Sequence, residues 1–203
     1  MDNFYFALVI IIAYFLGNIS PSTIIARSRG IDIKKEGSGN AGTTNTLRVL
    51  GPKAALITLL VDIGKGVLAV TLGFVLSTPT AAMYCAMAAF LGHIFPVLLK
   101  FKGGKGVAVA FGAVVTLNWK LGLLSLLIVV LAVLITKKVS MGSIIVAIAF
   151  PIECYFLEPD FLWLGVIMAA LVIYVHRSNI VRLYHGEEDN ISFSKFKQKG
   201  ERK

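Results

Sequence analysis

Residues 92–107 read Gly-His-Ile-Phe-Pro-Val-Leu-Leu-Lys-Phe-Lys-Gly-Gly-Lys-Gly-Val and join two strongly apolar segments. Gly103, Gly104 and Gly106 permit backbone conformations that other residues avoid, and glycines leave backbone N–H groups uncovered. Lys105 places a cation among these N–H groups, and an apolar, helix-like segment follows. Because the start of a helix is electropositive, this stretch predicts a cradle for a phosphate group. The alternative is a plain cytoplasmic turn whose lysines follow the positive-inside rule.

The composition around this stretch is that of an integral membrane protein. Of the 203 residues, 57% are hydrophobic and 15% are charged, and the mean hydropathy is +0.81. Apolar windows of about 20 residues, the length that crosses a hydrocarbon core as a helix, account for most of the chain. The 20 basic residues outnumber the 11 acidic ones, which we attribute to orientation, anionic lipid and anionic substrates. We therefore expect an all-α, multi-pass membrane protein with no nucleic-acid partner.

Seven apolar segments predict seven transmembrane helices. They cover residues 4–20, 52–77, 81–99, 107–117, 121–136, 141–157 and 161–175. Lysines and arginines cluster after the first, third, fifth and seventh segments, whereas the turns at 77–80 and 158–160 carry no charge or acidic charge. Because cytoplasmic connections are rich in Lys and Arg, the N-terminus is predicted outside and the C-terminus in the cytoplasm. Pro21 is read as the end of the first helix, which lacks the basic start and cleavage site of a signal peptide.

One membrane domain is predicted for residues 1–185, followed by a basic cytoplasmic tail at residues 186–203 that is rich in Lys, Glu and Ser. Cys85 and Cys154 lie in apolar segments and are expected to be free thiols. The short fourth segment could be re-entrant, but the basic pair at 137–138 would then lie outside. The charge rule therefore favours seven crossings.

A second polar stretch, Gly-Ser-Gly-Asn-Ala-Gly-Thr-Thr-Asn-Thr-Leu-Arg at residues 37–48, lies in the first long connection. Its glycines match the spacing of the dinucleotide fingerprint, but that fingerprint requires a strand and a helix of a soluble sheet. If a helical turn begins near Ala41, then Thr44, Asn45 and Arg48 share a face. Such side chains can hold a phosphate and the hydroxyls of a small polyol. A solvated loop with helix caps is the alternative.

A third polar stretch, His-Arg-Ser-Asn-Ile-Val-Arg-Leu, occupies residues 176–183. If the seventh helix continues, His176, Asn179 and Arg182 lie in an arc of roughly 120° on one side. Anchoring in lipid headgroups would explain the arginines, but it explains a histidine and an asparagine on the same face less well. Ser143, at the start of the sixth segment, opens at the same cytoplasmic level.

Four polar side chains lie inside the apolar segments. Asp62 and Lys65, three residues apart, are predicted to form an internal ion pair, and Glu153 is read in the same way. A polar group at such depth is costly unless it faces protein or water. His93 is therefore expected either to pack within the protein or to serve the site directly, and the sequence leaves both readings open.

Together these stretches closely resemble the bacterial acyl-phosphate:glycerol-3-phosphate acyltransferase family, PlsY. The resemblance covers residues 37–48, 92–96, 101–108 and 176–183. It implies transfer of a fatty acyl group from acyl phosphate to the 1-hydroxyl of glycerol 3-phosphate. The products are lysophosphatidic acid and inorganic phosphate, in the first step of bacterial phospholipid synthesis. It further implies seven helices in the bacterial cytoplasmic (inner) membrane and a site on the cytoplasmic side. Membrane lipid is an expected partner, a monomer is expected, and no cofactor or metal is expected.

On this hypothesis the residues 103–106, with Lys105, hold the acyl phosphate, and the other two polar stretches hold glycerol 3-phosphate. The candidate catalytic residues are His176, Asn179, Lys105, Ser38 and Arg48. The candidate substrate-binding residues are Asn40, Thr43, Asn45, Gly103, Gly104, Lys105, Gly106, Ser143, His176, Asn179 and Arg182.

An acyl phosphate is already activated, so the enzyme mainly has to orient the reactants and stabilise the oxyanion and the departing phosphate. No cysteine is placed as a nucleophile, so direct transfer is expected. Either His176 or a substrate phosphate oxygen is expected to take the hydroxyl proton, and the phosphate is favoured because no carboxylate is evident to orient the histidine. A transporter of phosphorylated metabolites is the rival, supported by the charges within the membrane. The absence of inverted halves and the position of the polar stretches on one face argue against it.

Overall fold

The computed structural model describes residues 2–190. Over that range the chain forms ten α-helices and two single turns of 3-10 helix, and no strand. The helices are α1 Asp2–Asn18, α2 Pro21–Ser28, α3 Thr43–Leu50, α4 Pro52–Leu76, α5 Pro79–Ile94, α6 Val107–Leu117, α7 Trp119–Thr136, α8 Val139–Leu157, α9 Leu162–Val175 and α10 Arg177–Tyr184. The all-α architecture predicted from the composition is therefore confirmed. Most of the predicted tail, residues 191–203, lies outside the described residues.

Most of these helices have the length and apolarity that a membrane requires. Five segments qualify individually, namely Asn3–Ser28, Pro52–Leu76, Pro79–Leu99, Trp119–Thr136 and Val139–Leu157. A sixth qualifies as a pair, because α9 and α10 together pass the same test but are bent by 55° at their junction. The remaining apolar helix, α6, has 11 residues. The structure is that of an integral membrane protein.

The first predicted helix differs from the observed one at its C-terminal end. Pro21 was read as the point where the helix ends, but Pro21 opens α2, which continues to Ser28. Proline is favourable in the first turn of a helix because its missing N–H would be unpaired there in any case. The Oγ atom of Ser20 caps this turn and accepts a hydrogen bond of 3.4 Å from the backbone N–H of Thr23. Ile19 and Ser20, the two residues before Pro21, are thus a break within one long segment.

Close contact between α4 and α6 depends on two glycines that face each other across the helix pair. A Cβ atom on Gly66 would lie 2.3 Å from the carbonyl oxygen of Val109, and one on Gly112 would lie 2.1 Å from that of Ile63. Real Cβ contacts are not that short, so any side chain would force the helices apart. Small residues let membrane helices approach closely and gain dispersion energy.

Close contact between α1 and α5 likewise depends on a pair of glycines. A Cβ atom on Gly17 would lie 2.2 Å from the carbonyl oxygen of Ala89, and one on Gly92 would lie 2.1 Å from that of Tyr14. This close packing holds the C-terminal end of α5 against the break after α1. The glycine-rich connection that follows α5 is thereby placed beside α2 and the residues that lead into α3.

Large apolar side chains fill the other half of the bundle, between α5, α6, α8 and α9. Phe90 and Phe161 are fully buried there, and Phe150 packs against Phe161 edge to face with ring centroids 6.4 Å apart. This core packs α5, α6, α8 and α9 against one another. The polar stretches of the sequence meet at one face of the bundle.

The α4–α6 contact predicts different effects for two neighbouring glycines of α4. Gly66→Ala should lower the thermal unfolding temperature of the detergent-solubilised protein by several degrees, because the new Cβ atom meets the α6 backbone. Gly64→Ala is the matched control, since a Cβ atom there meets nothing within 4 Å. It should leave the unfolding temperature unchanged or raise it. Equal losses in the two variants would show that the glycine contact does not set the helix spacing.

Candidate active site

A cavity of about 1640 Å³ opens between α3, α4, α6, α7, α8 and the junction of α9 with α10. Its polar end is lined by residues from all three polar stretches of the sequence. These are Ser38, Asn40, Thr43, Asn45, Arg48, Lys105, Gly106, Ser143, His176 and Asn179. The other end is lined by apolar side chains, including Phe111, Val114, Val129, Ala147 and Phe150. One space therefore joins a cationic surface to an apolar interior.

A second, smaller cavity of about 330 Å³ adjoins the glycine-rich connection. The three remaining predicted residues, Gly103, Gly104 and Arg182, line this cavity instead of the larger one. Ser38, Asn40 and Lys105 line both cavities. The fold thus brings together every residue that the sequence predicted for the site, although not all on the same wall.

Lys105 is tied to α10 by a chain of hydrogen bonds. Its ammonium group donates to Oδ1 of Asn179, and the Asn179 amide donates to Oε1 of Glu188 over 2.7 Å. Glu188 also accepts hydrogen bonds from the hydroxyl of Ser140, over 2.7 Å, and from Nε of Arg182, over 2.7 Å. The carboxylate of Glu188 is thus the common acceptor for side chains of α8 and α10.

Glu188 was missed by the sequence analysis, which assigned it to a tail beginning at residue 186. The chain instead reverses at Gly186, which has a φ of +74°, a conformation that favours glycine. The N–H of Glu187 then bonds the carbonyl of Arg182 over 2.8 Å, and the Glu188 side chain is buried. The first residues of the predicted tail therefore pack against α8 and α10. A glycine after a helix, followed by an acidic run, is the signal that pointed to a chain reversal.

Burial of Glu188 alone would raise its pKa. The hydrogen bonds from Ser140, Asn179 and Arg182, together with the charge of Arg182, outweigh burial and hold the pKa of this carboxyl below its ordinary value. Glu188 is therefore a carboxylate at neutral pH, and it orders the side chains of the site without blocking the cavity.

Burial lowers the pKa of Lys105 to about 8, and the nearby charges of Arg182 and Arg48 lower it as well, while Glu188 opposes the shift. The direct partner of the ammonium is a neutral amide, so its charge is only partly compensated. An anion bound here would raise the pKa again and would be held by a cation that has little water around it.

Arg48 reaches the same cavity from α3. Its guanidinium lies 3.3 Å from the carboxylate of Asp189, whose side chain is 70% exposed. An ion pair with such an exposed partner contributes little. The Arg48 side chain is therefore available to a substrate anion at small cost.

His176 lies at the break between α9 and α10, so the predicted continuous helix is interrupted there by the 55° bend. Its Nδ1–H donates to the carbonyl oxygen of Val172 over 2.8 Å. The ring of His176 is thus oriented by a backbone carbonyl, whereas the sequence showed no carboxylate that could orient it. In the neutral ring, Nε2 is then an acceptor, and His176 lines the larger cavity.

The side chain of Asn45 has hydrogen-bond partners within its own loop. The helix begins at Thr43 rather than near Ala41. The Asn45 side chain accepts a hydrogen bond of 2.8 Å from the N–H of Ser38 and donates to the carbonyls of Ile33 and Glu36 over 3.3 and 3.0 Å. These contacts use the amide within its own loop, so Asn45 shapes the loop that presents Ser38. In contrast, Oγ1 of Thr43 is buried without a partner among residues 2–190.

The glycine-rich connection packs more tightly than its sequence suggested. The N–H of Gly104 is not uncovered, because it donates to the carbonyl of His93 over 3.1 Å. A Cβ atom on Gly103 would lie 1.9 Å from that carbonyl oxygen, and one on Gly106 would lie 2.5 Å from the ring of Phe90. The glycines therefore allow the connection to lie directly against α5 and to project Lys105 into the cavity.

Two of the polar residues predicted inside the membrane form an ion pair, whereas Glu153 and the cavity-lining Ser143 bond to neutral groups. Asp62 and Lys65 form the expected ion pair, with Nζ 2.9 Å from Oδ1. Glu153 has no cationic partner within the described residues, and it accepts a hydrogen bond from Ser125 instead. Ser143 bonds the carbonyl of Val139 over 3.2 Å in its own helix, so it lines the cavity without joining the Glu188 network.

The model of a family described as glycerol-3-phosphate acyltransferase matches residues 7–186. The chain belongs to this family. A glycerol-3-phosphate acyltransferase from Thermoanaerobacter sp. (strain X514) is 44% identical over 190 residues, which cover 92% of this chain and 96% of the relative. One from Clostridioides difficile (strain 630) is 40% identical over 203 residues and is covered completely, with 96% of this chain.

Solved structures of a family member share the fold. The glycerol 3-phosphate form of PlsY, described as an integral membrane glycerol 3-phosphate acyltransferase, has a TM-score of 0.88 and 32% identity, covering 94% of this chain and 97% of that one. The lysophosphatidic acid form has a TM-score of 0.84 and 33% identity, covering 92% and 95%. The resemblance noted from the three polar stretches is confirmed, and the chain is an acyltransferase.

The lowered pKa of Lys105 predicts an alkaline limit on substrate capture. Lys105 is charged below about pH 8 and loses its proton above it, so kcat/KM for the acyl donor should fall as pH rises through that value. Lys105→Arg keeps its charge throughout this range, so its alkaline limb should move to higher pH even if overall activity drops. The pH profiles of both proteins test this. An unchanged limb in the variant would assign the titration to another group.

Proposed function

We propose that the protein transfers a fatty acyl group from an acyl phosphate to the 1-hydroxyl of glycerol 3-phosphate. The products are lysophosphatidic acid and inorganic phosphate, the first step of bacterial phospholipid synthesis. The observation that carries this proposal is the single cavity in which Arg48 and Lys105 lie at one end and apolar side chains at the other. Such a space suits reactants that combine a phosphate with a long hydrocarbon chain. The glycerol 3-phosphate and lysophosphatidic acid forms of the related PlsY structures support the acceptor and the product.

The donor phosphate is assigned to Lys105 and Gly106, where α6 begins with Gly106 at its N-cap. The positive end of that helix and the partly compensated ammonium both favour an anion. When the hydroxyl oxygen attacks the carbonyl carbon, the C–O bond to phosphate breaks and the phosphate leaves with the bonding electrons. Lys105 is placed to stabilise the charge on that leaving group.

Glycerol 3-phosphate is assigned to the wall formed by α3 and the α9–α10 junction. Arg48 provides a guanidinium for the phosphate, and Ser38, Thr43 and Asn179 provide hydroxyl and amide groups for the polyol. The unpartnered Oγ1 of Thr43 supports this assignment, because a buried hydroxyl without a partner costs free energy that a substrate hydroxyl would recover. In this proposal Asn45 acts only through the loop that presents Ser38.

We assign the hydroxyl proton to an oxygen of a substrate phosphate. The Nε2 atom of His176 is correctly placed to accept a hydrogen bond, but a proton taken by this buried ring would add a second positive charge to a cavity that already holds Lys105. A phosphate monoester, whose second pKa is about 6, is the better matched base. His176 then orients the hydroxyl without taking its proton.

We further propose seven membrane crossings, with the N-terminus outside, the C-terminus in the cytoplasm, and a monomer in the bacterial inner membrane. Five crossings are the long apolar segments, and the short α6 and the bent α9–α10 pair bring the number to seven. The alternation of basic and uncharged connections supports this orientation. The contacts of Glu188 with α8 and of Asp189 with α3 support a membrane domain that extends to residue 189.

The topology is tested by labelling with a membrane-impermeant thiol reagent on intact cells. Thr80→Cys should be labelled and Lys35→Cys should not, because both positions are exposed but they lie on opposite sides of the proposed bundle. The native Cys85 and Cys154 are buried and should remain unreactive. The reverse labelling pattern would invert the orientation.

The donor is tested by giving the purified protein glycerol 3-phosphate with acyl phosphate, acyl-CoA or acyl carrier protein. Lysophosphatidic acid and inorganic phosphate should form in equal amounts from acyl phosphate alone. Product from one of the other two donors, with none from acyl phosphate, would overturn the donor assignment. In the same assay His176→Gln should lose only a few-fold in kcat, whereas a loss of about a thousandfold or more would make His176 the obligatory base.

A further inference from the structure

A buried polar cluster between α4 and α5 takes no part in the reaction described so far. It consists of Asp62, Lys65 and His93, whose side chains are 3%, 3% and 5% exposed. The Lys65 ammonium lies 2.9 Å from Oδ1 of Asp62, and 2.8 Å from Nδ1 of His93. It also donates to the carbonyl oxygens of Gly17 and Ile19, over 3.0 and 2.6 Å, at the break after α1.

These contacts fix which nitrogen of His93 carries the proton. An ammonium group has three N–H donors and no acceptor, so Nδ1 of His93 must accept the hydrogen bond from Lys65. The Asp62 oxygen is 3.6 Å from Nδ1, which is too far for an alternative hydrogen bond from the ring. The neutral imidazole is therefore protonated at Nε2.

The Nε2–H group of His93 faces the glycine-rich connection. A Cβ atom on Gly104 would lie only 2.2 Å from Nε2, so the absence of a side chain lets the connection lie in contact with this edge of the ring. The carbonyl oxygen of Ala41 lies 3.1 Å from the same Cβ position on Gly104. This oxygen accepts a hydrogen bond of 2.9 Å from the hydroxyl of Ser22. Among residues 2–190, Nε2 donates to no protein acceptor, and His93 lines the larger cavity together with Lys105.

We propose that His93 is a further catalytic residue, whose Nε2–H donates a hydrogen bond to an oxygen of the phosphate group held at Lys105. Asp62 and Lys65 are positioning residues that hold the ring in the Nε2–H tautomer. This inference rests on the proposed function, because it adds a neutral donor to the same phosphate site. A neutral donor complements Lys105, since it stabilises the leaving phosphate without adding charge to a buried site.

Two substitutions separate the nitrogens of His93. The amide of His93→Asn reaches the position of Nδ1, so it can still accept from Lys65, but it has no donor at the cavity. The longer amide of His93→Gln reaches the position of Nε2 and restores a donor there at the expense of the Lys65 contact. We expect His93→Asn to lower kcat/KM by about ten- to a hundredfold, the effect of losing one hydrogen bond to a charged group. His93→Gln should be more active than His93→Asn and less stable to heat.

The inhibition constant of inorganic phosphate supplies a second readout, because phosphate is the product that this site releases. It should weaken in His93→Asn with the thermal unfolding temperature unchanged. His185→Asn is the matched control, since His185 is exposed directly after α10 and outside the proposed site, and it should behave as the wild-type protein.

Wild-type kcat/KM in His93→Asn, or a lower kcat/KM in His93→Gln than in His93→Asn, would overturn the inference and leave the Lys65 contact as the role of His93. If the wild-type protein itself makes no lysophosphatidic acid, the proposed function fails instead. Should a variant not fold, NMR of wild-type protein labelled with ¹⁵N-histidine decides. Saturating inorganic phosphate should shift the His93 Nε2–H signal, and an unshifted signal would overturn the inference.

Discussion

The hydrogen bond from Lys105 to Asn179 joins two parts of the chain that are 74 residues apart. Through Asn179 it continues to Glu188, and from there to Ser140 and Arg182. A cation at the edge of a membrane bundle is tolerated only where its donors meet acceptors. In this network the ammonium of Lys105 bonds the neutral amide of Asn179, and the carboxylate of Glu188 bonds Asn179 instead of Lys105. Lys105 is therefore held in place while its charge remains available to an anion.

Close helix packing makes that placement feasible. Gly92 and Gly17 let α5 lie against α1, and Gly103 lets the following connection lie against the end of α5. With these contacts, the connection cannot swing away from the bundle, and the start of α6 is aimed at the cavity. The glycines that the sequence suggested as bare phosphate ligands act first as packing residues. The positive potential of the site comes from Lys105, Arg48 and the N-terminal end of α6.

The sequence was sufficient for features that depend on local composition. Apolar windows located the helices to within a few residues, since burial in lipid requires a long run of apolar side chains. The features it could not give depend on contacts between distant residues. Glu188 looked like part of a tail because its partners lie on α8 and α10, and Asn45 looked like a ligand because its loop partners were not visible. The orienting group of His176 was missed because it is a backbone carbonyl, which every residue has.

The most direct measurement is an experimental structure of this protein with glycerol 3-phosphate and inorganic phosphate bound. The account predicts a phosphate oxygen at hydrogen-bond distance, about 2.7–3.2 Å, from Nζ of Lys105, and a second phosphate within reach of Arg48. Phosphates bound only at exposed lysines and arginines outside the cavity, with the space beside Lys105 occupied by lipid or water, would contradict it.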